Sequence, residues 1–179
     1  MSSTKLWIYK MLTWWLPESR CHGVKVALLR WAGAKIGSNV RIYSSAAFIG
    51  VGKLEIGDDV HIGGQVLMTI TEGTTLKIGS RIDIGPRVMI LTGTHEINLL
   101  RAPDPNATEK HAWDGHAAGK GASKPVTIED GVWLGAGSTV LPGCTVGEGS
   151  VIGAASVVTK SIAPWSIAVG IPAKVIKQR

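Results

Sequence analysis

The sequence predicts a mainly β fold in which the chain winds into stacked coils, and three observations predict it. From Ile128 to Thr159 an apolar residue falls at every sixth position: Ile128, Leu134, Val140, Val146, Ile152 and Val158. A period of six matches neither the period of about 3.6 of a helix nor that of about two of a strand. It suits a unit of one short strand and one turn; three units close a coil, and coils stack on a shared core. Four residues after each anchor comes Val132, Ser138, Cys144, Ser150 or Ser156, small enough to sit near a corner. The 23 glycines recur in phase, and Gly135, Gly147 and Gly153 directly follow anchors, where glycine is expected to tolerate the backbone of the turn.

The first segment, 1–35, reads as helical. Lys5 to Leu16 is apolar with two lysines and is ended by Pro17; Val24 to Trp31 is a second helix with Gly33 as its stop. Four of the seven Trp lie within residues 1–31. Two readings of this basic, Trp-rich segment stand side by side. It caps the open end of the coil or packs subunits, or it makes peripheral contact with a membrane surface.

The repeat occupies 36–163, about five coils. Ile36, Ile42 and Phe48 start it; the frame slips by two near Lys53 and resumes at Ile56, Ile62 and Met68. It slips by four through Thr71–Thr75 and resumes at Ile78, Ile84 and Ile90. A loop excursion at 92–125 has no anchor pattern, and long insertions in compact repeats are usually functional or disordered. The short tail, 164–179, leaves the period at Pro164.

The net charge of +6 resides in the first 41 residues, where seven Lys and Arg face Glu18 alone; the remainder carries twelve of each sign. No basic run interleaved with aromatics points to nucleic acid. Two cysteines imply no disulfide framework and fit a reducing cytoplasm. The start lacks the features of a signal peptide, and no stretch has the roughly 18 apolar residues of a membrane span.

Several motifs together resemble the hexapeptide-repeat acyltransferases. They are the sixfold repeat, Thr94-His95 before the excursion, Lys124-Pro125-Val126 before Val132-Trp133-Leu134-Gly135, Val157-Val158-Thr159-Lys160, and Gly170-Ile171-Pro172-Ala173-Lys174. The likeness is to the sugar and polysaccharide O-acetyltransferases and covers about residues 36–177. It implies a left-handed parallel β-helix, a homotrimer with active sites between neighbouring prisms, acetyl-CoA as co-substrate, and a sugar or glycan-precursor acceptor.

Acetyl transfer to a hydroxyl needs a base, and imidazole suits it, with an unperturbed pKa near ~6.5. The resemblance makes His95 that base. Gln65 stands where relatives carry an acceptor-binding Asn; His61 is an acceptor-site candidate beside it, equally readable as an exposed residue, and Asp83 is a weaker candidate that reads better as an outward, solvated carboxylate. Trp133 matches the Trp bordering the site. Ala136 and Ala154 match positions that approach the pantetheine arm, Thr159 and Lys160 the adenine end, and Lys174 and Lys177 the phosphate of CoA. His111, His116 and Trp113 lie in the excursion, where nothing is carried over.

Other readings remain. An N-acyltransferase acting on a nucleotide-linked amino sugar, or a xenobiotic acetyltransferase, would use the same base. A non-catalytic scaffold is more distant. A zinc enzyme on the same fold needs three converging histidines, and the run Leu134–Cys144 supplies none, so no metal site is expected.

Overall fold

A computed structural model of the chain describes residues 1–97 and 118–179. Two helices open it, α1 (Ser3–Thr13) and α2 (His22–Trp31). Three coils follow: β1 (Lys35–Ile36), β2 (Arg41–Ile42) and β3 (Ala47–Ile49); β4 (Lys53–Ile56), β5 (His61–Ile62) and β6 (Leu67–Thr69); β7 (Thr75–Ile78), β8 (Asp83–Ile84) and β9 (Met89–Leu91). The chain then leaves through β10 (Gly93–Ile97) and returns through β11 (Ala118–Ser123). The fourth coil is β12 (Val126–Ile128), β13 (Trp133–Leu134) and β14 (Thr139–Val140), and the fifth is β15 (Thr145–Val146), β16 (Val151–Ile152) and β17 (Val157–Val158). Two strands finish the chain, β18 (Ser166–Val169) and β19 (Lys174–Gln178).

Strands of successive coils pair in parallel and make the three faces of a prism. Face A is β1-β4-β7-β12-β15, face B runs from β2 through β5, β8, β13 and β16 to β18 and β19, and face C is β3-β6-β9-β14-β17. The anchors line the axis: Ile128, Leu134, Val140, Val146, Ile152 and Val158 are all completely buried. Each such side chain contributes roughly 1.5–3 kcal/mol by leaving water. The small residues expected at corners are buried as well, Ser138, Cys144, Ser150 and Ser156 among them.

The glycines have a different cause from the one expected. The left-handed backbone of the turns falls elsewhere: at Asn39, Asp59, Arg81, Gly131, Gly149 and Trp165 between faces A and B, at Gln65, Arg87, Gly137 and Ala155 between faces B and C, and at Gly50, Gly73 and Gly143 between faces C and A. Gly135 has an ordinary φ. A Cβ there would lie 2.6 Å from the Ala154 nitrogen of the next coil, so it is the stacking distance that excludes a side chain.

The three breaks in the period also share one place. The slips near Lys53 and Thr71–Thr75 and the excursion all fall where the chain turns from face C to face A. Extra residues at a corner bulge outward and leave the buried ladder in register. The opposite corner, from A to B, is stitched between coils: Asp58 accepts from Ser38 N at 2.6 Å, and Asp130 accepts from Ser80 N at 2.9 Å.

The helices close the first coil. Tyr9 of α1 packs edge-on against Phe48, with ring centroids 5.9 Å apart. Lys25 of α2 is completely buried, and its Nζ donates to the carbonyls of Pro17 (3.1 Å), Glu18 (2.8 Å) and Ile42 (3.1 Å). Helix α2 ends as the sequence indicates, with Gly33 at φ 102° donating to Arg30 O. Helix α1 stops three residues short of Leu16, and Trp14 to Leu16 turn into the connection. The tail is more ordered than a tail implies: β18 extends face B in parallel and β19 folds back antiparallel beside it.

Candidate active site

The excursion is not loop throughout. Its two arms form an antiparallel ribbon in which Gly93 faces Ser123, Thr94 faces Ala122 and His95 faces Gly121, with an irregularity between His95 and Ile97. Thr92 fixes the foot of the ribbon. It is completely buried, donates through Oγ1 to Thr69 O at 3.1 Å, and accepts from Thr71 N at 2.8 Å and Thr74 Oγ1 at 3.0 Å. Lys124 N closes the other arm on Thr92 O at 2.9 Å.

His95 therefore projects from a braced position. Its Nδ1 lies 3.2 Å from the Gly119 carbonyl, which can only accept, so Nδ1–H donates across this contact. Thr71, Gly93, Thr94, His95, Gly121, Ala122 and Ser123 line a depression of about 430 Å³ around it. His111, His116 and Trp113 lie outside the described residues.

The acceptor candidates stand on another side of the prism. On face B the outward side chains stack in register as Arg41, His61, Asp83 and Trp133. His61 Nδ1 lies 2.9 Å from Asp83 Oδ1, and Tyr43 meets the His61 ring edge-on at 5.4 Å between centroids. Trp133 is exposed. Beside this ladder, at the corner between faces B and C, a groove of about 750 Å³ is lined by Glu18, Tyr43, Ser45, Gln65, Arg87 and backbone from neighbouring coils. Gln65 Oε1 accepts from Arg87 Nε at 2.9 Å, and Glu18 accepts from the Ser45 hydroxyl. Gln65 and Arg87 both hold left-handed backbone, at φ 59° and 61°.

Sequence reasoning missed Glu18, Tyr43 and Arg87. Arg87 had one available signal: it lies 22 residues beyond Gln65, one coil later in the same phase. Glu18 had none, because it reaches the groove only through the packing of the α1–α2 connection, where Ser44 N donates to Glu18 O at 3.1 Å.

The cofactor candidates also divide. Ala136 and Ala154 are exposed and occupy one column at the B–C corner, where Ala155 N donates to Ala136 O at 2.9 Å. Thr159 and Lys160 follow β17 at the C–A corner, the corner that also carries His95, and both are exposed. Lys174 and Lys177 lie on β19 at the outer edge of face B. In a triangular prism the C–A corner is opposite face B. One chain therefore does not bring His95 to Gln65, His61, Asp83 or Trp133. Among the described residues no three His, Cys, Asp or Glu are grouped to hold a metal ion.

A five-coil parallel prism defines a class, the left-handed β-helix proteins. Comparison narrows it. The family model described as bacterial transferase hexapeptide (six repeats) matches residues 125–160. Galactoside O-acetyltransferase of Escherichia coli is 30% identical over 156 residues, covering 85% of this chain and 67% of that protein. The galactoside O-acetyltransferase of Lactococcus lactis is 37% identical over 123 residues, covering 66% and 53%. Among solved structures, the N-acyltransferase AntD from Bacillus cereus, in complex with dTDP and 3-hydroxybutyryl-CoA, superposes with a TM-score of 0.65 at 27% identity, covering 83% of this chain and 73% of that one. The chain belongs to the hexapeptide-repeat transferase family. It spans between 53% and 67% of the length of these two galactoside acetyltransferases, and 55% of a third curated relative.

Proposed function

We propose that the chain is an acetyl-CoA-dependent O-acetyltransferase acting on a hydroxyl of a sugar or glycan-precursor acceptor. It works as a homotrimer, with His95 as general base at a site between subunits. The observation that carries this reading is the position of His95, braced at the foot of the ribbon with Nδ1 on the Gly119 carbonyl. The groove that holds Gln65 and Arg87 lies on another edge of the prism. A neighbouring prism supplies its own groove opposite His95, which is why the site needs a second subunit.

In this reading Nε2 of His95 takes the proton of the acceptor hydroxyl as its oxygen attacks the thioester carbonyl. A backbone N–H receives the developing oxyanion. The intermediate collapses with loss of the CoA thiolate, which recovers the proton from the imidazolium. The ester forms, the thioester breaks, and free CoA leaves. Tyr43 supplies an aromatic surface for a sugar ring, and Gln65, Arg87 and Glu18 supply donors and acceptors for its hydroxyls. The small exposed Ala136 and Ala154 suit close approach of an extended pantetheine arm. Lys160, Lys174 and Lys177 are exposed cations suited to phosphate. The reaction belongs in the cytoplasm, where the thioester donor is available.

A second reading, transfer to an amine on a nucleotide-linked amino sugar, is favoured by the likeness to AntD, an N-acyltransferase in complex with dTDP and 3-hydroxybutyryl-CoA. The same base serves both. One assay tests them together: thiol release from acetyl-CoA against neutral sugars, oligosaccharides and nucleotide-linked amino sugars, followed by mild alkali on the product. An alkali-labile ester supports O-transfer and a stable amide supports N-transfer. The absence of thiol release with every acceptor class would overturn both.

A further inference from the structure

We infer that the outer face of α1 and its C-terminal turn docks on an anionic lipid surface, with the helix lying along the surface. The inward face of α1 is Leu6, Tyr9 and Thr13, all buried against the first coil. The opposite face carries Trp7, Met11, Trp14 and Trp15, at helical spacings of four, three and one, and these are 64%, 52%, 76% and 83% exposed. Four large apolar side chains so exposed on one stripe form a patch that water disfavours. Three are Trp, whose indole buries an apolar body and keeps an N–H for the polar boundary of a bilayer.

Charge selects the occupant. Neither helix contains an acidic residue. Lys10 flanks the stripe and is exposed, Arg20 follows in the connection and is exposed, and Lys5 lies 4.9 Å from the centroid of the Trp31 ring. Glu18, the one carboxylate nearby in sequence, is held by Ser45 on the groove side. An apolar stripe edged by cations, without anions, complements anionic headgroups over acyl chains. A second copy presenting the same face would set Lys10 and Arg20 against their own kind. No helix among the described residues is long and apolar enough to cross a membrane, so the contact is along the surface. The face also adjoins the groove: Leu16 O and Pro17 O, just beyond the Trp pair, accept from Ser44 Oγ, and Glu18 lines the groove itself.

The test is cosedimentation of the full chain with vesicles of phosphatidylcholine, alone or with phosphatidylglycerol, alongside light scattering for the oligomeric state. The intact protein is expected to bind the anionic vesicles and to be released by high salt. Trp14→Ala with Trp15→Ala, and separately Lys10→Glu, should each weaken binding by about tenfold or more with the oligomeric state unchanged. Three results would overturn the inference: no binding to anionic vesicles, binding that the substitutions leave intact, or loss of the oligomer in the Trp variant, which would assign the face to a second copy of the chain. None of these readouts depends on acetyl transfer.

Discussion

The Nδ1 atom of His95 lies 3.2 Å from the carbonyl oxygen of Gly119, across the two arms of the inserted ribbon. That contact ties the imidazole to a rigid element, and in the proposed mechanism Nδ1–H donates there while Nε2 acts as the base. The ribbon is in turn fixed to the coil by Thr92. The proposed chemistry thus rests on an insertion whose foot is more constrained than its sequence suggests.

His95→Ala should lower turnover by about 10²–10⁴-fold while leaving CoA affinity and the oligomer intact, as measured by thiol release, calorimetry and light scattering. Near-normal turnover would remove His95 from the role of base.

Two glycine substitutions should move stability in opposite directions. Gly135→Ala places a Cβ 2.6 Å from Ala154 N and 2.7 Å from Ile152 O, backbone atoms that cannot retreat without separating coils. It should destabilise by about 2 kcal/mol or more. Gly23→Ala, in the first turn of α2 with nothing within 4 Å, should stabilise by about 0.4–1 kcal/mol. Urea midpoints of the two variants check the contrast.

Lys25→Met should destabilise by about 1–3 kcal/mol, because the carbonyls of Pro17, Glu18 and Ile42 lose a common donor inside the fold. Burial pulls the Lys25 pKa below its ordinary value, with Glu18 and Cys21 opposing. Between the folded and unfolded values the unfolded chain binds more protons, so Lys25 makes stability rise with pH in that alkaline window. The methionine variant should lose that rise in thermal melts.

At the acid end the sign comes from carboxylates. The Ser38 backbone N–H and hydroxyl hold the Asp58 pKa below its ordinary value, and the Lys35 ammonium does the same for Glu55. Their stabilisation is present above the unfolded carboxylate range, about 3.9–4.3, and is lost as pH falls through the lower folded values. Melting temperature should drop in that window. Asp58→Asn keeps an acceptor for Ser38 N, and its melting temperature should depend less on acid. An unchanged acid profile would remove Asp58 from this role.

The repeat made the coil legible because its cause is local. An anchor at every sixth residue is buried in the prism wherever it falls, so Ile128, Leu134 and Val140 point inward for the same reason. The glycines were legible in position but not in cause. Gly135 looks like a turn glycine in sequence, while its actual constraint is Ala154 on the coil above. The excursion was legible only as an interruption, since the pairing of Thr94 with Ala122 spans a segment with no periodic signal.

What the sequence by itself determined was the period, the number of coils and the position of the excursion. These follow from patterns between near neighbours in the chain. Tertiary structure decided which residues meet. The phase of winding places His61 beside Asp83, 22 residues away, and sets Gln65 against Arg87. The packing of α2 draws Glu18 into the groove. The same winding puts His95 on the corner opposite face B. Separation across a prism depends on which corner each residue occupies, and that is set by the number of strands wound between them, because the insertions bulge outward at one corner.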